Sequence, residues 1–599
     1  MSGEELDRLL ASAIEWLARL PLCGERELAQ LLGVHEQDAR AVRHELERRG
    51  WVDWIVPGTA GLEPRRLCFL REEAGRALAE HARAGEPALR ELPLRERDVL
   101  DRVARVEITA GVNRLFADLA SALQGTGIEL ADARSLPTRG GVRPGWELPA
   151  VEGYGCLRWG ERWAPFFVAW DRAGASDAHR RGRVSAWARA ADAVGERTAP
   201  ILVVAAGERE LSRWEARVQR YRDAGRWLGV LLGSARDVLQ RGPAAPIWRG
   251  VEGSDRKPLV ESLPWGPKPA RRPASFTAAR ELLAIDAVRR PLREWAPRAA
   301  TGQVPESARE RVAAIALATD AEEKRILDWV ARHPLLSAGE LATLLDAPAP
   351  AVRRRLDWLV RCEAVVVAGA PSPRVRAVDA DRYLSSIFGL RLLAALDRVP
   401  PLGYARDAGL TVADGGGAEL GCRALRHAAH TIGVNRTLAR LAADARTAGG
   451  RLVEWRNEAE SARRFRVCDH TRWIRPDASG VLRGATGAWP FLLEYDRGTL
   501  DGGDYRAKLA GYEAYFASRA WAQDFEAPPA LMFVCANEHA ERRVARATAA
   551  HAPALPLVLT TEWRFERASA GSKGLTGAIW ARPGDRRLRV EPFRTEVGR

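Results

Sequence analysis

Leu6, Leu9, Leu10, Ala13 and Leu17 recur at three- and four-residue intervals, which lays them along one stripe of an amphipathic helix. A short helical segment follows at Glu25–Leu32, then a turn at Gly33 and Val34, then a longer segment from Gln37 to Arg49 that Gly50 stops. The β-prone run WVDWIV, the turn PGTAGLEP and the run RRLCFL read as two antiparallel strands. Three helices and a two-stranded wing predict a winged helix-turn-helix in residues 1–85. The same pattern returns as Lys324–Arg332, Ala338–Leu345, Pro350–Arg361 and VVVAGAPSPRVRAV, predicting a second one in 316–390.

The return continues beyond the helices. GVNRLFADLA at Gly111–Ala120 reappears as GVNRTLARLA at Gly433–Ala442, and FFVAWDR at Phe166–Arg172 as FLLEYDR at Phe491–Arg497. VVAAGE reappears as FVCANE, and an Ile-Trp pair closes each copy at Trp248 and Trp580. Matches kept in order along the chain indicate an internal duplication. After each winged helix the period changes to strands alternating with helices. In the second half FRVCDHTRWIRPD, a turn at ASG and the strand WPFLLEYDR precede a helix at Tyr505–Ser518. The strand PALMFVCA, a helix at Glu538–Ala550 and the strand PLVLTT then follow. The expected fold class is therefore mixed α/β, with α/β domains at 90–252 and 391–599. Residues 253–315, rich in Pro, Gly and Arg, read as a linker with a helix at Thr277–Arg289.

Composition narrows the function. Hydrophobic residues make up 46% and charged residues 28%, a globular balance. No apolar run approaches the ~20 residues that span a bilayer. MSGEELDRLL is not a basic flank leading into an apolar stretch, so a cytoplasmic location is expected and no membrane partner. The seven cysteines are odd in number and form no CxxC pair, which argues against a disulfide framework or a structural zinc site. There is no GxxxxGK[ST] loop and hence no sign of an ATP-driven motor. A net charge of +14 favours an anionic partner, with double-stranded DNA the natural one for this architecture. The second helices of the two helix-turn-helix pairs carry Arg40, Arg43 and Arg48, and Arg353, Arg354 and Arg355, where a helix in the major groove meets phosphates and base edges. The wings add Arg65, Arg66, Arg374 and Arg376.

Candidate chemistry lies in the second half. Asp477 follows Pro476 at a turn, and Glu494 and Asp496 share one face of the next strand. Lys508 lies near the start of the following helix, with Tyr512 and Tyr515 further along it. Carboxylates beside a lysine suit Mg2+ (or Mn2+) and phosphodiester hydrolysis, because the cation needs hard oxygen ligands and the lysine can stabilise developing charge. Only five of the 92 basic residues are lysine, so the lysine at 508 stands out from its arginine-rich background. His470, beside Cys468 and Asp469, reads as a strand-end residue.

The stretch from Pro476 to Tyr512, PD…FLLEYDRGT…K…Y, resembles the replication-relaxation family of plasmid and mobile-element proteins. The resemblance is best over Ala316–Trp580 and weaker over the first half. It implies a winged helix joined to a PD-(D/E)XK restriction-endonuclease-like domain, with Asp477 as the first acid and Glu494 as the second. Where that motif places a lysine two residues on, this chain has Asp496, and Lys508 would reach in from the next helix. The activity implied is Mg2+-dependent nicking of plasmid or mobile-element DNA. Two alternatives stand beside it: a non-enzymatic DNA-binding or regulatory protein with an inert nuclease-like fold, and an enzyme using Tyr512 or Tyr515 as nucleophile. The His-hydrophobe-His triplet of a conjugative relaxase is absent.

The first half serves as a control. Aligning FFVAWDR with FLLEYDR puts Ala169 at Glu494, Asp171 at Asp496 and Arg183 at Lys508, while Pro149-Ala150 is matched to Pro476-Asp477. On that alignment the first copy holds no metal, and Asp496, retained there as Asp171, has a structural role. Trp187 in place of Tyr512 points to aromatic packing at that position.

Overall fold

The computed structural model describes residues 3–57, 66–71, 74, 96–136, 151–172, 174–175, 177–194, 199–223, 229–251, 253, 255–269, 308–368, 381–407, 427–484, 487–567, 574–591 and 593. The chain divides into two units, Met1–Arg325 with Arg391–Pro400, and Ile326–Leu390 with Pro401–Arg599.

The first unit opens with helices α1 (Gly3–Arg19), α2 (Glu25–Leu32) and α3 (Glu36–Arg48) and an antiparallel pair, β1 (Val52–Ile55) and β2 (Leu67–Leu70). Leu9, Leu10, Ala13 and Leu17 of α1 are buried together, as their spacing requires. Helix α2 ends on Gly33 at φ +67°, a left-handed backbone that glycine adopts without a side-chain clash. Helices α4 (Glu96–Val103) and α5 (Val106–Ala122) lead into a six-stranded sheet. Its strands lie side by side in chain order: β3 (Glu129–Ser135), β4 (Gly153–Trp159), β5 (Arg162–Trp170), β6 (Ile201–Ala205), β7 (Val230–Ser234) and β8 (Arg249–Gly250). The first three form an antiparallel meander. Strands β5, β6 and β7 are parallel, and such pairs need crossovers, which α6 (Asp177–Val194) and α7 (Glu208–Asp223) supply. Helices α8 (Ala235–Arg241) and α9 (Ala308–Ala318) complete this part.

The second unit takes up the chain within α10 (Ala321–Arg332) and continues through α11 (Ala338–Leu345), α12 (Ala349–Arg361) and the antiparallel pair β9 (Val365–Ala368) and β10 (Arg382–Ser385). Ser337 and Glu340 cap α11 reciprocally, the Glu340 amide donating to Ser337 Oγ at 3.2 Å and the Ser337 amide to Glu340 Oε2 at 2.9 Å. Helix α13 (Ala428–Thr447) then precedes β11 (Arg451–Asn457), the short α14 (Glu458–Ser461), β12 (Arg463–Val467), β13 (His470–Ile474), β14 (Ala478–Gly484) and β15 (Gly487–Asp496). After α15 (Gly502–Ala517) come β16 (Ala530–Cys535), α16 (Glu538–His551), β17 (Leu557–Thr561), α17 (Glu562–Arg567), β18 (Trp580–Arg582) and β19 (Asp585–Val590). Seven of these strands form one sheet in the order β11-β14-β15-β16-β17-β18-β19, again a meander followed by parallel strands β15, β16 and β17.

Two readings change. FRVCDHTRWIRPD is a hairpin of its own, β12–β13, outside the seven-stranded sheet. The segment ASG opens strand β14 instead of forming a turn. Its small residues answer to crowding: a Cβ at Gly480 would lie 2.4 Å from the Glu454 carbonyl oxygen and 2.6 Å from the Phe491 ring. The expected helix Thr277–Arg289 lies outside the described residues.

The G-V-N segments have a packing explanation. A Cβ at Gly111 would lie 2.6 Å from the Trp170 ring, and one at Gly433 would lie 2.1 Å from the Tyr495 ring. Asn113 donates to the Pro21 carbonyl at 2.8 Å, and Asn435 to the Pro334 carbonyl at 2.9 Å. In each unit one helix thus seats a sheet aromatic on its glycine and ties itself to the turn before α2 or α11 through its asparagine.

Candidate functional site

Register brings the acids together. Ala478 pairs with Leu493 across β14–β15, which sets Asp477 opposite Glu494. Both Asp477 oxygens are held: Oδ2 accepts the Tyr495 amide at 2.7 Å, and Oδ1 lies 3.2 Å from His430 Nε2 on α13. Glu494 is buried in the central strand, and its two oxygens accept Lys508 Nζ and the Tyr512 hydroxyl, both delivered by α15. The start of α15 is set by Asp501 and Asp504, which cap it reciprocally, the Asp504 amide reaching Asp501 Oδ1 at 2.8 Å.

Electrostatics separate the two acids. Burial pushes Glu494 up to about 8, and the nearby Asp477 charge adds to this against the pull of Lys508. Burial also pushes the Asp477 carboxyl upward, but the His430 hydrogen bond, the cations and the Tyr495 amide outweigh it and hold the group below the ordinary aspartate value. Burial opposes the charged forms of His430 and Lys508, yet the acids beside them raise both above their usual values. Burial and Glu494 keep the Tyr512 phenol well above its usual range. The two acids are thus shifted in opposite directions, Glu494 above and Asp477 below the ordinary carboxylate value, and a lysine and an imidazole face them.

Of the residues singled out in the sequence, Asp477, Glu494, Lys508 and Tyr512 converge here. Asp496 is turned to local structure: Oδ1 accepts the Gly498 amide at 2.8 Å and Oδ2 the Tyr505 hydroxyl. Tyr515 is fully buried in the core and Tyr512 nearly so, its hydroxyl committed to Glu494. His470 is exposed at the start of β13. His430 escaped sequence reading, although the duplicated segment held the signal: Ile108 stands three residues before Gly111, where His430 stands three before Gly433. Among the described residues, no group of three or more His, Cys, Asp or Glu side chains lies together so as to hold a metal ion.

The first unit corrects the sequence alignment. Gly153 pairs with Val168, so Glu152 stands opposite Ala169 as Asp477 stands opposite Glu494. Glu152 Oε2 accepts the Trp170 amide at 2.8 Å, just as Asp477 accepts the Tyr495 amide. The position of the first acid is thus held by Glu152, while Ala150 lies outside the described residues. Matching the Pro-X dipeptides misplaced it by two residues, because register and not local sequence sets the pairing. Arg183, at the position of Lys508, donates to Glu152 Oε2 at 2.7 Å, and Arg105 donates to Oε1 at 2.9 Å. Arg398 lies 3.5 Å away, and burial among these arginines pushes it down to about 9. Three guanidinium groups surround the one carboxylate. Asp171 keeps the structural role expected of it, bonded to Arg180 at 2.8 Å.

The proposed DNA-contacting arginines differ in availability. Arg43 is buried between Glu25 at 2.7 Å and Glu47 at 2.6 Å, so its guanidinium is committed to the interior. Arg40 is exposed beside Glu25, and Arg48 is exposed beside Glu45. Arg353 and Arg354 are exposed on α12, with Arg355 half-buried. Arg66 lies over the Trp54 ring at 4.1 Å, while Arg65, Arg374 and Arg376 lie outside the described residues.

The segment holding α11, α12, His430, Asp477, Glu494 and Lys508 is also where the chain is similar to known proteins. Residues 327–527 match the replication-relaxation family. The replication-relaxation match thus covers about a third of the chain and ends before β16. No curated protein and no solved structure matches the chain. Among the described residues, no helix is long and apolar enough to cross a membrane.

Proposed function

We propose that the chain is a DNA-binding protein of replication-relaxation type whose second unit is a Mg2+-dependent nuclease acting on plasmid or mobile-element DNA in the cytoplasm. On this reading each unit joins a winged helix-turn-helix to a restriction-endonuclease-like α/β domain, and the two units arose by duplication. The observation that carries it is the placement of Asp477 opposite Glu494 with Lys508 upon them. The donor set fits Mg2+: two hard carboxylates on adjacent strands, in which each engaged oxygen retains a further lone pair. Asp477 and Glu494 would hold the cation, which when bound polarises a phosphate and lowers the pKa of a water. Lys508 is placed to stabilise charge on the scissile phosphate. His430 and Tyr512 fix the directions of the two carboxylates.

Mg2+- or Mn2+-dependent cleavage of DNA, abolished by Glu494→Ala with DNA binding retained, tests this reading. Calorimetry should show divalent-cation binding that Asp477→Ala removes and that a change at Ala169 leaves alone. One observation favours a second reading, a DNA-binding protein with an inert nuclease-like fold: every oxygen of Asp477 and Glu494 already has a protein partner. Binding without cleavage under every divalent cation would select it.

Either reading requires salt-sensitive binding. With a net charge of +14, affinity for duplex DNA should fall on the order of a thousandfold between 50 and 200 mM salt, as counterions are released from several phosphates. A flat response in a salt titration would remove nucleic acid as the partner.

A further inference from the structure

The hairpin β12–β13 has two unlike faces. Cross-strand pairing of Arg464 with Trp473 and Arg466 with Thr471 places these four on one face. The other face carries Phe465 and Ile474, which are buried with Leu509, Tyr512 and Tyr515 of α15. The contact is close: a Cβ at Gly511 of α15 would lie 3.3 Å from the Trp473 carbonyl oxygen. The hairpin is therefore anchored on the helix that delivers Lys508 and Tyr512, and Asp477 follows its last strand by three residues.

All four residues of its outer face are exposed. Trp473 is 58% exposed, more than any other large aromatic among the described residues. Arg464 lies over its ring at 5.6 Å and is exposed. Arg466 and Arg475 flank it, each only 3.9 Å from an acid that is itself well exposed. An exposed flat indole among cations is the arrangement that holds an unpaired base by stacking while arginines meet the adjacent phosphates. A duplex, whose bases are already stacked, would use the arginines but not the ring.

We propose that the outer face of β12–β13 binds single-stranded DNA by stacking a base on Trp473, so that the neighbouring site takes DNA in which the duplex is interrupted. This deepens the nuclease reading, on which the role of the neighbouring site rests; binding by the hairpin stands apart from catalysis. The test is fluorescence anisotropy of the full chain in EDTA, with a labelled single strand, the matching blunt duplex, and the same duplex carrying a single-stranded tail. The tailed DNA should bind more tightly than the blunt duplex. Trp473→Ala should weaken single-stranded and tailed DNA about tenfold, within the range for loss of one base–aromatic stack, and change the blunt duplex less than twofold. Trp473→Phe should retain most of the affinity. Equal weakening on all three DNAs, or no change on any, overturns the proposal while leaving the nuclease reading intact. Absence of binding to every DNA by the unaltered chain would overturn both. Loss of cleavage in Glu494→Ala with the tail preference kept would uphold the stacking claim by itself.

Discussion

Supercoiled plasmid incubated with the purified chain and Mg2+ should accumulate as open circles before any linear form arises. The reason is arithmetic of sites. Among the described residues, only the second unit pairs an acid at the start of β14 with another on β15; the first offers Ala169 opposite Glu152, and that carboxylate is surrounded by Arg105, Arg183 and Arg398. On the nuclease reading, one competent site per chain would break one strand, and a single break lets supercoils unwind. Glu494→Ala should abolish the conversion, and Lys508→Ala should slow it about 10²- to 10³-fold, the loss seen when one preorganised charge-stabilising donor is removed. Agarose gels taken over a time course read all of this. Linear DNA from the first time point would refute the single-site argument.

Glu152→Gln should cost the first unit about 3–5 kcal/mol, because it removes the charge shared by the buried Arg105 and Arg183 and the half-buried Arg398. Its thermal transition should drop by roughly 10 °C. On the nuclease reading, the same substitution should leave the nicking rate unchanged well below that transition, since Glu152 lies outside the Asp477–Glu494–Lys508 cluster. Acid tells the same story. Burial pushes the Glu152 carboxyl upward, but Arg183, Arg105 and Arg398 outweigh it and hold it down at about 2, against an ordinary 4.5. A depressed folded value means that the unfolded chain takes up the proton first. The stabilisation is therefore complete above pH 4.5 and is lost as pH falls from there toward 2. Calorimetric scans across that window should show a loss in the unaltered chain that Glu152→Gln lacks. A variant as stable as its parent would mean that the arginines find other partners.

Apolar periodicity made helices α2 and α11 legible to the residue. Two-residue alternation sets Glu494 beside Asp496, but strand register brings Glu494 to Asp477 instead, and the following helix returns Lys508 to it. What escaped has common causes. Strand β11 sits at the sheet edge and is half-exposed over most of its length, so RLVEWRN shows no apolar run. The hairpin β12–β13 reads as one extended piece because its turn, with Cys468 at φ +51°, contains neither glycine nor proline. Glu152 was missed because strand register is a property of pairing, which a local dipeptide does not record. His430 acts through a contact some 47 positions distant in the chain, visible beforehand only as a difference from Ile108.

The glycine beneath Tyr495 bears on how chains of this kind are classified. Gly433 lets that ring settle on α13, and the Tyr495 amide holds Asp477; Gly111, Trp170 and Glu152 repeat the arrangement where three arginines surround the acid. A search keyed on G-V-N therefore retrieves a scaffold without regard to chemistry. Sorting retrieved chains into cutters and mere binders would need the four positions of His430, Asp477, Glu494 and Lys508, aligned by strand register and not by the nearest proline.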